Sequence, residues 1–215
     1  MNNKGVIFTA STLLNVAKNA HNKLNGEPPD IDQGLIAIVF AASAFEAFIN
    51  ELDELAAGTG DTPGAKEPII ALLSDVLKEA EACRASIRLK YLVAGTVFTG
   101  KPFDRGSRPW QDVDLLFKIR NAIVHLEPSV LTVGDKGFSM SGDDLMERLR
   151  QRKVLPDLPP GQAMIFLHRL AERSAARWAV NTTVQTVTAV VSALPGGEFR
   201  DSVAPTYLKE FVGID

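Results

Sequence analysis

Residues 110–127 have the sequence WQDVDLLFKIRNAIVHLE, and they carry the strongest structural signal in the chain. Apolar side chains recur in this stretch every three or four residues, which is the spacing of an amphipathic α-helix. Pro109 precedes them at a position where a first-turn proline removes no helical hydrogen bond. The stretch therefore predicts a helix with one apolar stripe. The residues of that stripe are Val113, Leu116, Phe117, Ile123 and Val124.

Arg120 interrupts this stripe, because at about 100° per residue it falls on the same side of the helix as the apolar residues. An unpaired buried charge destabilises a protein by several kcal/mol, so the guanidinium needs an acidic partner. The apolar run of residues 35–49, LIAIVFAASAFEAFI, contains a single charged residue, Glu46. We therefore predict that Glu46 and Arg120 meet inside the domain.

A polar stripe lies roughly a quarter to a third of a turn away and includes Asn121 and His125, which are four residues apart. At that spacing Asn121 can orient the His125 ring. His125 is the strongest candidate for proton transfer, because an imidazole titrates near neutral pH. Two simpler interpretations stay open. A lone histidine at a helix end is more often a surface or capping residue, and Arg120 can serve a structural ion pair as well as a phosphate site.

The segment RNAIVH, residues 120–125, resembles the RX4–6H signature of HEPN domains, an all-helical superfamily of nucleotide-binding proteins and ribonucleases. Residues 44–52, AFEAFINEL, resemble the first long core helix of that family, which often carries an acidic residue facing the motif. The resemblance covers roughly residues 33–127. It implies a mainly α fold, namely a helical bundle of HEPN type.

The resemblance also implies a metal-independent endoribonuclease without a cofactor. His125 would help the ribose 2′-hydroxyl attack the adjacent phosphate or protonate the leaving oxygen, Arg120 would stabilise developing negative charge, and Asn121 would orient His125 or the substrate. Family members commonly form homodimers in which two motifs face one cleft. Many act in toxin–antitoxin or antiphage defence systems, where an antitoxin protein is a further partner. The alternatives are a non-catalytic module that binds a nucleotide, RNA or a partner protein, and a purely structural helical oligomer.

Composition limits where RNA could bind. The net charge of −3 provides no general attraction to nucleic acid, so RNA binding must be local. We predict RNA contacts from Lys118 and from Lys101, Arg105 and Arg108, which precede the motif helix; a second basic cluster is RLRQRK, residues 148–153. The alternative is that these cations are ordinary solvated side chains, which is the more common role of charged residues in loops and on surfaces.

The remaining features favour a cytoplasmic, single-domain protein of 215 residues without a metal site or a membrane span. Cys83 is the only cysteine, and His21 and His168 have no neighbours at metal-ligand spacing. We assign residues 1–215 to one HEPN-like domain, with a core of about 10–127 and a C-terminal part, 128–215, that adds a small β-hairpin and a long helix. The predicted helices are 10–24, 30–57 with its acidic end 51–54 at the surface, 67–82 and 85–97 as two helices or one bent helix, 141–153, 161–194 and 205–212.

Overall fold

The structure, a computed structural model, is mainly α-helical, as predicted. It describes residues 8–25, 30–58, 67–101, 104–125, 132–134, 137–139, 143–157 and 165–215, with the backbone alone for both strands and for Asp143. The elements in the described part are α1 (Ala10–Asn22), α2 (Ile31–Gly58), α3 (Pro68–Ala82), α4 (Ile87–Thr99), α5 (Arg108–Val124), β1 (Thr132–Gly134), β2 (Gly137–Ser139), α6 (Asp143–Gln151), α7 (Phe166–Leu170), α8 (Arg173–Ala193) and α9 (Glu198–Glu210).

Helix α2 occupies the centre of the fold and contacts α1, α3, α4, α5, α7 and α8. Its apolar residues surround most of the helix axis, and Ile38, Phe45 and Phe48 are fully buried. Asp30 begins the helix, because its Oδ1 accepts the backbone N–H of Gln33 at 3.2 Å. By length and composition α2 could also cross a membrane, but 56% of its apolar window is buried inside the protein. This burial fits a core helix.

Helix α8 is the second centre of packing and contacts α1, α2, α4, α5, α7 and α9. Its sequence NTTVQTVTAVVS, residues 181–192, is rich in β-branched residues that favour strands, yet it is helical, as its spacing predicts. The buried residues Val180, Val187 and Val191 join the same hydrophobic core as α1–α5. The predicted C-terminal extension therefore shares its core with the N-terminal helices.

Several predicted boundaries differ from the structure. The single helix predicted for 161–194 is two helices, because the chain turns at Ala171 and Glu172 between α7 and α8. The segment around Cys83 separates two helices, α3 and α4, which settles the alternative left open by the sequence. The short helix predicted for 205–212 is the longer α9, with Pro205 inside it.

The acidic end of α2 also differs from its prediction, because Glu51 is buried rather than at the surface, with 6% of its surface exposed. Its carboxylate accepts hydrogen bonds from the start of α1 and from the hydroxyl of Tyr207 in α9. Glu54, three residues further along, is exposed as predicted.

Strands β1 and β2 pair antiparallel, with Thr132 opposite Ser139 and Gly134 opposite Gly137. The turn predicted between them and the predicted start of α6 at Ser141 lie outside the described residues.

Gly34 is expected to tolerate no side chain, because the backbone of the α7–α8 turn packs directly against it. A Cβ at Gly34 would lie 2.5 Å from the Cα of Ala171 and 3.0 Å from the carbonyl oxygen of Leu170. We predict that Gly34→Ala lowers the free energy of unfolding by about 1–3 kcal/mol, despite the better helix propensity of alanine. Urea denaturation measures the change. Gly58→Ala is the matched control on α2, since a Cβ there meets nothing within 4 Å. Equal stability of the two variants would contradict this packing.

His21 is expected to make folding sensitive to acid. The ring is 1% exposed, its Nε2 accepts from Arg173 Nε at 3.2 Å, and its Nδ1 lies 3.4 Å from Asn22 Oδ1. Burial lowers the pKa of His21 below the usual 6.5, and the charges of Arg173 and Arg177 lower it further, although Asn22 opposes the shift. The neutral ring therefore stabilises the fold above about pH 6.5, and this contribution is lost as the pH falls through the lowered pKa.

The measurement is urea denaturation at about pH 7.5 and about pH 5.5, on either side of the unfolded-state pKa. Wild type is expected to lose more stability between these values than His21→Gln, whose carboxamide oxygen accepts from Arg173 at both. His168→Gln is the control, because His168 is exposed on α7. This variant should have the same pH dependence of stability as wild type. An identical pH dependence in His21→Gln and wild type would show that His21 is not the responsible group.

Candidate functional site

Helix α5 brings the motif to the edge of the protein. Pro109 lies in its first turn, as predicted, and Val113, Leu116 and Ile119 are buried against the core. The last turn leaves the core, because Val124 is 52% exposed and His125 ends the helix in a non-helical conformation. The two ends of α5 therefore have different surroundings, and the motif lies at the exposed one.

Arg120 and Glu46 are in contact, with 3.2 Å between Nη2 of the guanidinium and Oε2 of the carboxylate. The location differs from the prediction, because the Arg120 and Glu46 side chains are 28% and 42% exposed and so lie at the rim of the core rather than inside it. Arg120 Nη1 also donates to Asn121 Oδ1 at 3.0 Å, while its buried Nε has no partner among the described residues. Two acceptors thus fix the guanidinium of a partly exposed side chain.

Asn121 and His125 are both exposed. Asn121 positions Arg120 rather than His125 in this structure, since its side-chain oxygen accepts from the guanidinium. The backbone N–H of His125 donates to the Asn121 carbonyl at 2.8 Å and ends the helix, but within the described ranges no group is hydrogen-bonded to the imidazole. The ring is therefore accessible to a ligand.

Lys118 belongs to a charge network on the same helix. Asp114 accepts from Lys118 at 2.7 Å and from Arg88 of α4 at 2.6 Å. Burial raises the pKa of the Asp114 carboxyl, but the hydrogen bonds and charges of the two cations outweigh it, so the net pKa lies below the usual value. Asp114 stays ionised and holds Lys118 in place. The sequence does not predict the role of Arg88, since nothing in its spacing indicates this contact with α5.

The other predicted RNA-contacting residues lie far from His125. Lys101 and Arg105 are exposed between α4 and α5, and Arg108 begins α5, 3.5 Å from Asp112. Sixteen residues separate Arg108 from Val124, a distance of about 24 Å along the helix axis. The start of α5 is therefore far from the motif end, and RNA contact by Lys101, Arg105 and Arg108 stays a prediction.

Among the residues that the structure describes, no group of three or more His, Cys, Asp or Glu side chains could hold a metal ion. Comparison of the chain with protein-family models, with curated proteins and with solved structures finds no match.

Proposed function

We propose that the protein is a metal-independent endoribonuclease of HEPN type that acts at the exposed end of α5. One observation carries the proposal: the Arg120 guanidinium is held by Glu46 and Asn121 on a partly exposed side chain, and an exposed imidazole follows at His125. The two groups are separated by about 7.5 Å along a helical axis. A permanent cation and a titratable ring at this spacing suit a phosphodiester and the hydroxyl beside it.

Arg120 would bind the scissile phosphate. A guanidinium has five N–H donors, and the contacts to Glu46 and Asn121 use one on each Nη nitrogen. The remaining Nη donors can bind the non-bridging phosphate oxygens, where negative charge increases in the transition state. Because its two protein contacts fix the guanidinium before substrate arrives, little reorganisation accompanies the reaction.

His125 would transfer the proton. The 2′-oxygen attacks the adjacent phosphorus as the bond from phosphorus to the 5′-oxygen breaks, which yields a 2′,3′-cyclic phosphate and a 5′-hydroxyl. One imidazole can take the proton of the 2′-hydroxyl or protonate the 5′-oxygen, and a second is needed to do both in one step. A homodimer with the two motifs across one cleft would supply it. Val124, exposed beside His125, is an apolar residue that such a dimer could bury.

The biological setting that fits this activity is a cytoplasmic toxin or antiphage component, in which a partner antitoxin would restrain cleavage. An exposed free thiol, Cys83, is consistent with a reducing compartment.

The test is cleavage of single-stranded RNA in the presence of EDTA, with the same DNA sequence as a substrate that lacks the 2′-hydroxyl. Wild type should cleave only the RNA, and His125→Ala should be slower by at least about 10²-fold. His168→Ala, which removes an exposed histidine from α7, should cleave as wild type does. Equal cleavage by His125→Ala and wild type, or loss of cleavage with EDTA, would contradict the proposal.

Arg120→Ala separates a functional from a structural role. A partly exposed ion pair contributes at most about 1 kcal/mol, so the variant should stay folded by circular dichroism while RNA cleavage is lost. A variant that unfolds would instead favour the structural interpretation, in which Arg120 and Glu46 only hold two helices together.

A second candidate is a non-catalytic module that binds a nucleotide or RNA end. It is favoured by the commitment of Asn121 to Arg120, which leaves the His125 ring without an orienting partner in the described part of the chain. This function predicts that wild type and His125→Ala bind RNA without cleaving it, whereas Arg120→Ala loses binding.

A further inference from the structure

A concave surface lies near the start of α5, between the C-terminus of α6 and the first half of α8. It consists of two cavities of about 820 and 250 Å³ that share Lys153, Val154 and Ser174 in their walls. We call it the α6–α8 groove. The cationic residues that line it are Arg108, Arg150, Lys153, Arg173 and Arg177.

Three acidic residues also line the groove, and each already has a cation. Asp112 pairs with Arg152 at 2.7 Å, in the more buried wall, and Asp157 pairs with Arg150 at 3.0 Å. Glu172, the third, lies 2.8 Å from an Arg169 nitrogen. These three carboxylates are therefore already paired and do not fully neutralise the remaining cations of the groove.

Three groove cations have no acidic partner among the residues that the structure describes. Lys153 and Arg177 make no ion pair there, and Arg173 donates only to the neutral side chains of His21 and Asn25. Arg108 shares the Asp112 carboxylate with Arg152, at the longer distance of 3.5 Å. A chain with a net charge of −3 thus concentrates uncompensated positive charge in one concave surface. The fold creates this cluster, because it brings residues of α5, the end of α6 and α8 together.

The shape and composition of the groove favour a strand over a single phosphate. Arg173 and Arg177 are about 6 Å apart along α8, and the groove continues along this helix to Gln185, about 18 Å from Arg173. One phosphate cannot fill a groove of that length, whereas a strand can place successive phosphates on Arg173 and Arg177 and continue along the neutral residues towards Gln185. Trp178, partly exposed, also lines the smaller cavity, and cations with an aromatic surface are the combination by which proteins bind single strands.

We infer that the α6–α8 groove binds the phosphate backbone of single-stranded nucleic acid. This site is separate from the α5 motif and does not depend on the proposed cleavage. Binding should weaken with salt, and three uncompensated cations correspond to a slope of log K against log salt concentration of about −2.

Lys153→Gly tests the groove without endangering the fold. Lys153 has a φ of 57° at the end of α6, a backbone conformation that glycine adopts more readily than lysine. The variant therefore removes a groove cation while it relieves backbone strain, and its melting temperature should not fall.

Arg84→Gly is a closely matched control. Arg84 is also exposed and has a φ of 52° at the end of a helix, α3, but it does not line the groove. The two helix ends also have the same pair of backbone hydrogen bonds. After α3, Arg84 N–H donates to the Glu81 carbonyl and Ala85 N–H to the Ala80 carbonyl. After α6, Lys153 N–H donates to the Arg150 carbonyl and Val154 N–H to the Leu149 carbonyl. Both variants lose one positive charge, so a difference between them reports position rather than net charge.

The experiment measures binding of a fluorescent RNA of about 12 nucleotides, and of DNA with the same sequence, by fluorescence anisotropy at several salt concentrations. His125→Ala serves as the parent protein, so that cleavage cannot obscure binding. We expect Lys153→Gly and Arg177→Gln each to weaken binding about fivefold or more and to reduce the salt slope by about 0.7, with Arg84→Gly unchanged.

Equal affinities of Lys153→Gly and Arg84→Gly, or no binding at low salt, would overturn the inference. Pyrophosphate that binds as tightly as the oligonucleotide would also overturn it, because the site would then recognise a compact phosphate. Failure of RNA cleavage by the wild-type protein would leave these binding results intact, so the two proposals can fail independently.

Discussion

Glu51→Ala is expected to lower the free energy of unfolding by about 3–5 kcal/mol, because several donors lose their acceptor and each buried unsatisfied donor costs about 1–3 kcal/mol. Glu51 Oε1 accepts the backbone N–H of Ala10 at 2.8 Å and the Thr9 hydroxyl at 2.9 Å, in addition to the Thr9 N–H. Its Oε2 accepts the hydroxyl of Tyr207 at 2.7 Å. Truncation would leave buried donors of α1 and α9 without an acceptor, and this desolvation is the source of the loss.

The position of Glu51 suits a negative charge. Its carboxylate lies against the N-terminal end of α1, where the helix dipole is positive. The Thr9 side chain itself provides no cap there. Burial and the neighbouring carboxylate raise the pKa of the Tyr207 hydroxyl far above its usual range, so Tyr207 remains a hydrogen-bond donor at any practical pH. One side chain thus connects α1, α2 and α9.

Urea denaturation of four variants tests this role. Glu54→Ala, on an exposed position of the same helix, should change stability by less than about 0.5 kcal/mol. Glu51→Gln keeps an acceptor for α1 and should lose less than Glu51→Ala, and Tyr207→Phe should lose about 1–2 kcal/mol. A Glu51→Ala protein as stable as Glu54→Ala would show that the buried junction does not hold the helices together.

The sequence predicts the contact between Arg120 and Glu46 but not its exposure. Spacing places each charge on an apolar helix face, and two lone opposite charges on such faces are natural partners. Exposure depends on where a helix leaves the core, and only the tertiary structure shows that the last turn of α5, with Val124, extends past it.

For Glu51 the sequence predicts the wrong environment. The polar segment NELDEL, residues 50–55, indicates a surface, whereas the partners that bury Glu51 lie far along the chain. Thr9 is 42 residues away and Tyr207 is 156 residues away. A signal was available, since Glu51 lies three residues after Phe48 and next to Leu52, both fully buried. Helical phase alone would have placed it on the core side.

Predicted helix boundaries are wrong where tertiary packing overrides the local preference of the sequence. No glycine or proline marks the turn at Ala171 and Glu172, so the sequence predicts one continuous helix there. The turn fits against Gly34, and Arg169 stabilises it through Glu172 and the carbonyl of Pro156. In α9 the opposite occurs: Pro205 is exposed and removes one helical hydrogen bond, while the buried face of the helix packs on the core.

Asp112→Ala is expected to be nearly as destabilising as Glu51→Ala, with a loss of about 3–5 kcal/mol. Asp112 Oδ1 lies 2.7 Å from Arg152 Nε, and the Asp112 and Arg152 side chains are only 13% and 10% exposed. The truncation would leave the guanidinium buried with one remaining acceptor, the carbonyl of Arg148 at 3.2 Å. Since Arg152 follows α6 and Asp112 lies in α5, the pair joins the C-terminal helices to the motif helix.

A double-mutant cycle separates the pair from its two members. Asp112→Leu with Arg152→Met removes both charges and should recover much of the stability lost in either single variant, because no unpaired charge stays buried. The Asp157–Arg150 pair is the control, since its side chains are 85% and 45% exposed, and Asp157→Ala should cost less than about 1 kcal/mol. If Asp112→Ala were as mild as Asp157→Ala, Arg152 would have to reach solvent on losing its partner, and α6 would be free to move away from α5.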